Sequence, residues 1–127
     1  MNIFGIFFSV GNIGIKSESI MALTEKKCKP CSGEETPLQG SDVKEFLNKL
    51  KDGWKSVDDK KIRNTFYFDD FKQGMDFTNK IAKLAEEEGH HPDICIHYKE
   101  VEVEITTHAI GGLTENDFIL AAKIDEL

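Results

Sequence analysis

Two β-rich runs in the last third of the chain constrain its fold more than any other feature. Ile94-Cys95-Ile96-His97-Tyr98 and Val101-Glu102-Val103-Glu104-Ile105-Thr106-Thr107 are separated only by Lys99-Glu100. This pattern predicts an antiparallel hairpin. In the second run Val101, Val103 and Ile105 share one face, while Glu102, Glu104, Thr106 and His108 share the other. Lys-Glu is not a favoured two-residue turn pair, so the register rests on the pattern rather than on the turn. If Tyr98 pairs with Val101, His108 lies across from His91, with Cβ atoms about 5 Å apart. A one-residue slip would carry His108 to the apolar face.

The elements upstream follow from periodicity and punctuation. Lys26 to Gly40 is poor in apolar residues and rich in Lys, Pro, Gly, Ser and Glu, so it reads as a loop or arm. Ser41 is a plausible N-cap for a helix carrying Val43, Phe46, Leu47 and Leu50 to Lys51, with Gly53 as its stop. Trp54 to Val57 and Ile62 to Phe68 read as strands about the turn Asp58-Asp59-Lys60. Asp69 or Asp70 caps a longer helix, whose stripe Phe71, Met75, Thr78, Ala82 and Ala85 is widened by Phe77, Ile81 and Leu84. Gly89 ends it at the C′ position, and a last helix runs from Thr114 to about Glu126. The order α-β-β-α-β-β-α predicts an α+β domain: an antiparallel sheet from two hairpins, with helices on one face. We divide the chain into an extension at 1–20, a flexible arm with a CxxC at 21–40, and a folded domain at 41–127.

Chemistry gathers where the long helix meets the hairpin. Three of the four histidines, His90, His91 and His108, fall in this region, and imidazole, titrating at about 6.5, gives and takes protons near neutrality. Glu86, one turn before His90, can hydrogen-bond an imidazole and select its tautomer. It also belongs to the run Glu86-Glu87-Glu88, which reads equally as a solvated helix end. His90 and His91 could simply close a helix whose dipole favours them, and Thr114-x-x-Asp117 has the form of a capping box. Tyr98 and Trp54 read as core or pocket wall, Cys95 as buried in its strand, and His97 carries no signal.

The spacing is more specific than any one of these residues. Glu86, three residues, His90-His91-Pro92, five to Tyr98, nine to His108 and eight to Asp117 resemble the signature of the pterin-4a-carbinolamine dehydratase family. The resemblance extends from about Leu38 to Leu127, with Asp52-Gly53-Trp54 and Phe66-Tyr67-Phe68-Asp69-Asp70-Phe71 similar to the family's earlier landmarks. It implies the same α+β fold, dimers joined through sheets and often tetramers through helices. It implies dehydration of 4a-hydroxytetrahydropterin to quinonoid dihydropterin, which regenerates the cofactor of aromatic amino acid hydroxylases, a link in the pathway rather than a contact. His90 and His108 are then acid/base candidates and His91 an orienting or assisting histidine, with Glu86 and Asp117 in support. The pterin is expected along Gly89, His90, His91 and Pro92 and along Thr106, Thr107 and His108. Ile94 and Cys95 stand where some relatives carry aromatic residues, which points to a less aromatic pocket wall. An animal member of the family also partners a homeodomain transcription factor, so a binding module is the rival reading, and a pterin binder without turnover a third.

No metal or organic cofactor is expected. The histidines form no His-x3-His or His-Glu-x-x-His pattern, and Cys28-Lys29-Pro30-Cys31 is at most half of a zinc site. With 16 basic against 23 acidic residues the net charge is −7, which argues against nucleic acid as a partner. Three cysteines, an odd number, suit a reducing compartment, and the chain is assigned to the cytoplasm. The apolar stretch Met1 to Ile15 is too short to span a bilayer and lacks the basic start of a secretory signal. It is read as an upstream extension before Met21, with a membrane-associating or targeting segment as the alternative.

Overall fold

The computed structural model describes residues 23–127, so the reading of 1–20 lies outside the described residues. Helix α1 is Gly40–Leu47, strands β1 and β2 are Lys55–Val57 and Lys61–Tyr67, and helix α2 is Phe71–Glu88. Strands β3 and β4 are Asp93–His97 and Glu100–Ile105, followed by a 3-10 turn at His108–Ile110 and helix α3 at Glu115–Ile124. The four strands form one antiparallel sheet in the order β1-β2-β4-β3. The predicted α+β class and element order stand.

Alternation on β4 determines the layers. Val101, Val103 and Ile105 are fully buried, and Val101 packs so close to α2 that a Cβ on Gly74 would lie 3.4 Å from its Cγ2. Helices therefore cover this face, while the opposite face carries Arg63, Glu102 and Glu104 in ion pairs. The core beneath the helices includes Ile62, Ile81, Phe118 and Leu120. Phe118 stacks on Phe46 at 4.9 Å, and Phe66 lies 4.8 Å from Phe77.

Helix α2 begins and ends as its sequence dictates. Gln73 donates its backbone N–H to the Asp70 side chain at 2.8 Å, filling one of the orphan donors of a helix start. Gly89 takes the left-handed conformation at φ 67° and returns its N–H to Ala85, as a glycine C′ residue does. Helix α1 departs from expectation. Gln39 is its N-cap, no side chain caps it, and Ser41 lies inside the first turn. The helix also stops at Leu47 rather than Lys51.

The second hairpin is correctly placed but registered two residues away. Ile96 pairs with Val101 and His97 with Glu100, so the turn is Tyr98-Lys99, with Tyr98 at φ 42°. Lys99 gains a reason to occupy the turn, because its carbonyl accepts the Phe68 N–H at 2.9 Å. A shift of two preserves every face, since side chains alternate with period two. It does not preserve the predicted partner of His108. Strand β4 ends at Ile105, Thr107 bridges Gly112, and His108 opens the 3-10 turn. His108 is therefore not a strand residue opposite His91. Cys95, read as buried, is exposed, because β3 is an edge strand and Cys95 faces away from the helices.

The segment read as an arm has neither helix nor strand through residues 26–39 and is bonded to α2 and α3. Lys26 pairs with Glu115 at 2.6 Å, and the Cys28 N–H donates to Glu88 at 2.9 Å. Lys29 and Asn116 exchange two hydrogen bonds.

Candidate active site

Three chain segments converge at one end of the sheet: the exit from α2, the residues after β4 and the start of α3. The left-handed Gly89 turns the chain off the α2 axis, so His90 and His91 leave in different directions. His90 Nε2 lies 2.6 Å from Asp117 Oδ1, with the imidazole 13% exposed and the carboxylate at 0%. His91 Nε2 lies 2.5 Å from Glu86 Oε2, and both of these side chains are exposed. Helical spacing favoured His90 as the partner of Glu86. The turn at Gly89 gives that place to His91 and sends His90 to α3.

Asp117 is the centre of the arrangement. Its Oδ2 accepts the Thr114 backbone N–H at 2.8 Å and the Thr107 hydroxyl at 2.9 Å, while Oδ1 faces His90. The Thr107 and Thr114 hydroxyls also meet at 2.8 Å. The capping box read from Thr114 and Asp117 is present, and the same carboxylate holds the imidazole. A buried carboxylate needs this number of donors, because each unsatisfied lone pair costs about 1–3 kcal/mol. With Nε2 committed to Asp117, Nδ1 is the ring atom left for exchange with a ligand.

His108 is exposed and follows Thr107 directly, which ties it to the Asp117 network through its neighbour. Its ring makes no hydrogen bond or ion pair among the described residues. Thr106 donates its hydroxyl to Lys60 O at 2.6 Å and to Gly112 O at 3.2 Å, bracing the loop that carries it. The structure thus joins His90 with Asp117, and His91 with Glu86. Sequence reasoning missed Thr114 as a site residue and the bond from Thr107 to Asp117. The capping-box pattern was the available signal for Thr114, and the bond from Thr107 to Asp117 had none.

The two thiols of the CxxC sit in different surroundings. Burial pushes the Cys28 thiol up to about 12, with Glu88 adding to the effect, so it holds its proton. Cys31 lies apart from that environment, with its Sγ 3.1 Å from Glu35 Oε1. All three cysteines are free thiols. Among the described residues, no helix is long and apolar enough to cross a membrane.

Residues 36–127 match the family described as Pterin 4 alpha carbinolamine dehydratase. A protein of Rubrobacter xylanophilus, provisionally named pterin-4-alpha-carbinolamine dehydratase, is 45% identical over 105 residues, covering 83% of this chain and 97% of its own. One of Nitrosospira multiformis with the same provisional name is 49% identical over 105 residues, covering 83% and 91%. A solved structure from Brucella melitensis, described as a transcriptional coactivator/pterin dehydratase, superposes with a TM-score of 0.67 at 36% identity. It covers 72% of this chain and 97% of that one.

Proposed function

The chain belongs to the pterin 4 alpha carbinolamine dehydratase family, and from that premise we propose that it dehydrates 4a-hydroxytetrahydropterin to quinonoid dihydropterin and water. The observation that carries this reading is the anchored His90, whose Nε2 is held by a fully buried Asp117. In the reaction the carbon–oxygen bond of the carbinolamine breaks as a proton reaches the departing hydroxyl, which leaves as water. A proton leaves a ring nitrogen, and its electron pair forms the new double bond. Two positioned acid/base groups suffice, and each typically contributes about 10²–10⁴-fold.

His90 and His108 are that pair in this reading. Asp117 orients the His90 ring, and its negative charge compensates the imidazolium form during turnover. His91, held by Glu86, orients the pterin, which lies along Gly89 to Pro92 and along Thr106 to His108. The exposed His108 ring is free to meet a ligand without breaking a native bond. The activity belongs in the cytoplasm, which suits three free thiols. The unpaired outer edge of β3 supports a homodimer joined through sheets, with a tetramer as its extension.

One assay tests this. Chemically generated carbinolamine is mixed with the wild type, His90→Ala and His108→Ala, and its loss is followed against the uncatalysed rate. Wild-type turnover that falls at least about 10²-fold in both variants is expected. Binding of the pterin without acceleration would make the protein a pterin binder, and undiminished turnover in His108→Ala would remove that ring from the chemistry.

A further inference from the structure

The outer face of the sheet carries a second cluster of ligating side chains, separate from the Asp117 network. Cys95 and His97 are alternate residues of edge strand β3 and so project from one face, and Glu102 is the direct cross-strand partner of Cys95 on β4. Cys95 Sγ lies 3.3 Å from His97 Nε2. The sulfur, the imidazole nitrogen and a Glu102 carboxylate oxygen all fall within 4.8 Å of one another.

Cys95 is exposed here, although cysteine is among the residue types most often found inside. A β-strand position facing water favours β-branched or aromatic side chains instead. Tetrahedral zinc, with bonds of about 2.3 Å to sulfur and 2.0–2.2 Å to nitrogen and oxygen, places its ligand atoms about 3.3–3.6 Å apart. The Cys95–His97 separation is already that short, and a rotamer adjustment of Glu102 closes the third edge.

Glu102 stands in a row of carboxylates. Glu100 and Glu104 flank Glu102 on the same face of β4. Arg63 and Lys61 are the competing charges: Arg63 lies 3.6 Å from Glu102, but its short bond, Nε to Oε2 at 2.6 Å, goes to Glu104, which Lys61 also meets at 3.2 Å. Glu102 can therefore turn to an ion while Arg63 keeps its main partner. One thiolate, one imidazole and one carboxylate suit zinc and its neighbours in the transition series, not magnesium or calcium.

We propose that Cys95, His97 and Glu102 form a zinc-class metal site on the outer face of the sheet, with a fourth position open to water. The spacing Cys-x-His had no metal reading in the sequence because its third ligand comes from the neighbouring strand.

Titration of the full chain with Zn²⁺ and with Co²⁺ tests the site. One ion per chain is expected, with a thiolate-to-cobalt charge-transfer band and the intense visible absorption of four-coordinate cobalt. Cys95→Ser should abolish the band, and Cys95→Ser, His97→Ala and Glu102→Gln should each weaken Zn²⁺ binding at least tenfold. Cys31→Ser should change nothing. All three positions lie on the solvent-facing side of the sheet, and far-UV circular dichroism checks that each variant is folded. A charge-transfer band that survives in Cys95→Ser, an unchanged Zn²⁺ affinity across the three variants, or a wild type with no such band would overturn the proposal.

Discussion

His90 and Asp117, 27 residues apart, meet at 2.6 Å between Nε2 and Oδ1 with the carboxylate wholly buried. The contact joins the end of one helix to the first turn of another, so a single side chain caps α3 and aims an imidazole. Asp117→Asn retains the size and removes half of the accepting capacity. The amide oxygen can keep the Thr107 hydroxyl and the Thr114 N–H. The NH2 then faces His90 Nε2, which must accept and so carry its proton on Nδ1, with no negative charge left beside the ring. We expect a loss of about 1–3 kcal/mol in stability and a fall in turnover of about 10²-fold or more. Thermal melts and the carbinolamine assay read the two effects on the same sample.

His108→Ala should separate function from stability. The ring is exposed and makes no bond among the described residues, so its removal should change stability by no more than about 0.5 kcal/mol. Turnover should nonetheless fall at least about 10²-fold. A denaturation midpoint that moved in step with the activity would mean the residue acts through the fold.

The fold was legible wherever a local rule sufficed. The β4 alternation, the α2 stripe, the Asp70 cap and the Gly89 stop each needed only a few neighbouring residues. The hairpin register was not, because it depends on Tyr98 accepting a positive φ and on the Lys99 carbonyl bonding Phe68, both tertiary outcomes. His90 and His91 were identifiable from their position at the helix end, yet which carboxylate each takes was decided by the turn at Gly89. The anchoring of residues 26–29 was invisible to local reading, since those partners lie 60 to 89 residues away in the chain.

Glu88 should give the protein an acid-sensitive clasp. Burial alone would raise its carboxyl, but the Lys123 ammonium and the Cys28 N–H outweigh it and hold the group below its ordinary value. The pair is 2.7 Å apart, with side chains 18% and 7% exposed for Lys123 and Glu88. A depressed folded-state pKa means the contribution is complete above the unfolded value, about 4.3, and is lost as pH falls through the lower folded one. Glu88→Gln should therefore cost about 1–3 kcal/mol at pH 7. Its difference from wild type should shrink as the pH falls below about 4. Urea midpoints of both proteins across that range check the sign.

Gly53 lies just beyond α1 at φ 113°, beside the buried Asn64. A Cβ there would come within 2.7 Å of Asn64 Oδ1 and 3.0 Å of its Nδ2. Two penalties act together in Gly53→Ala. The left-handed backbone disfavours any L side chain, and the clash pushes a buried amide against the β2 strand that carries it. A glycine-to-alanine change in permissive backbone would stabilise by about 0.4–1 kcal/mol through the unfolded chain, so the sign itself is diagnostic. We expect destabilisation of about 1–3 kcal/mol. Shortening Asn64 as well should relieve part of it: in the double variant with Asn64→Ala, the clash component vanishes and only the backbone strain remains. A double-mutant cycle on thermal or urea unfolding measures that coupling, and strictly additive losses would show that the backbone conformation alone excludes a side chain at this turn.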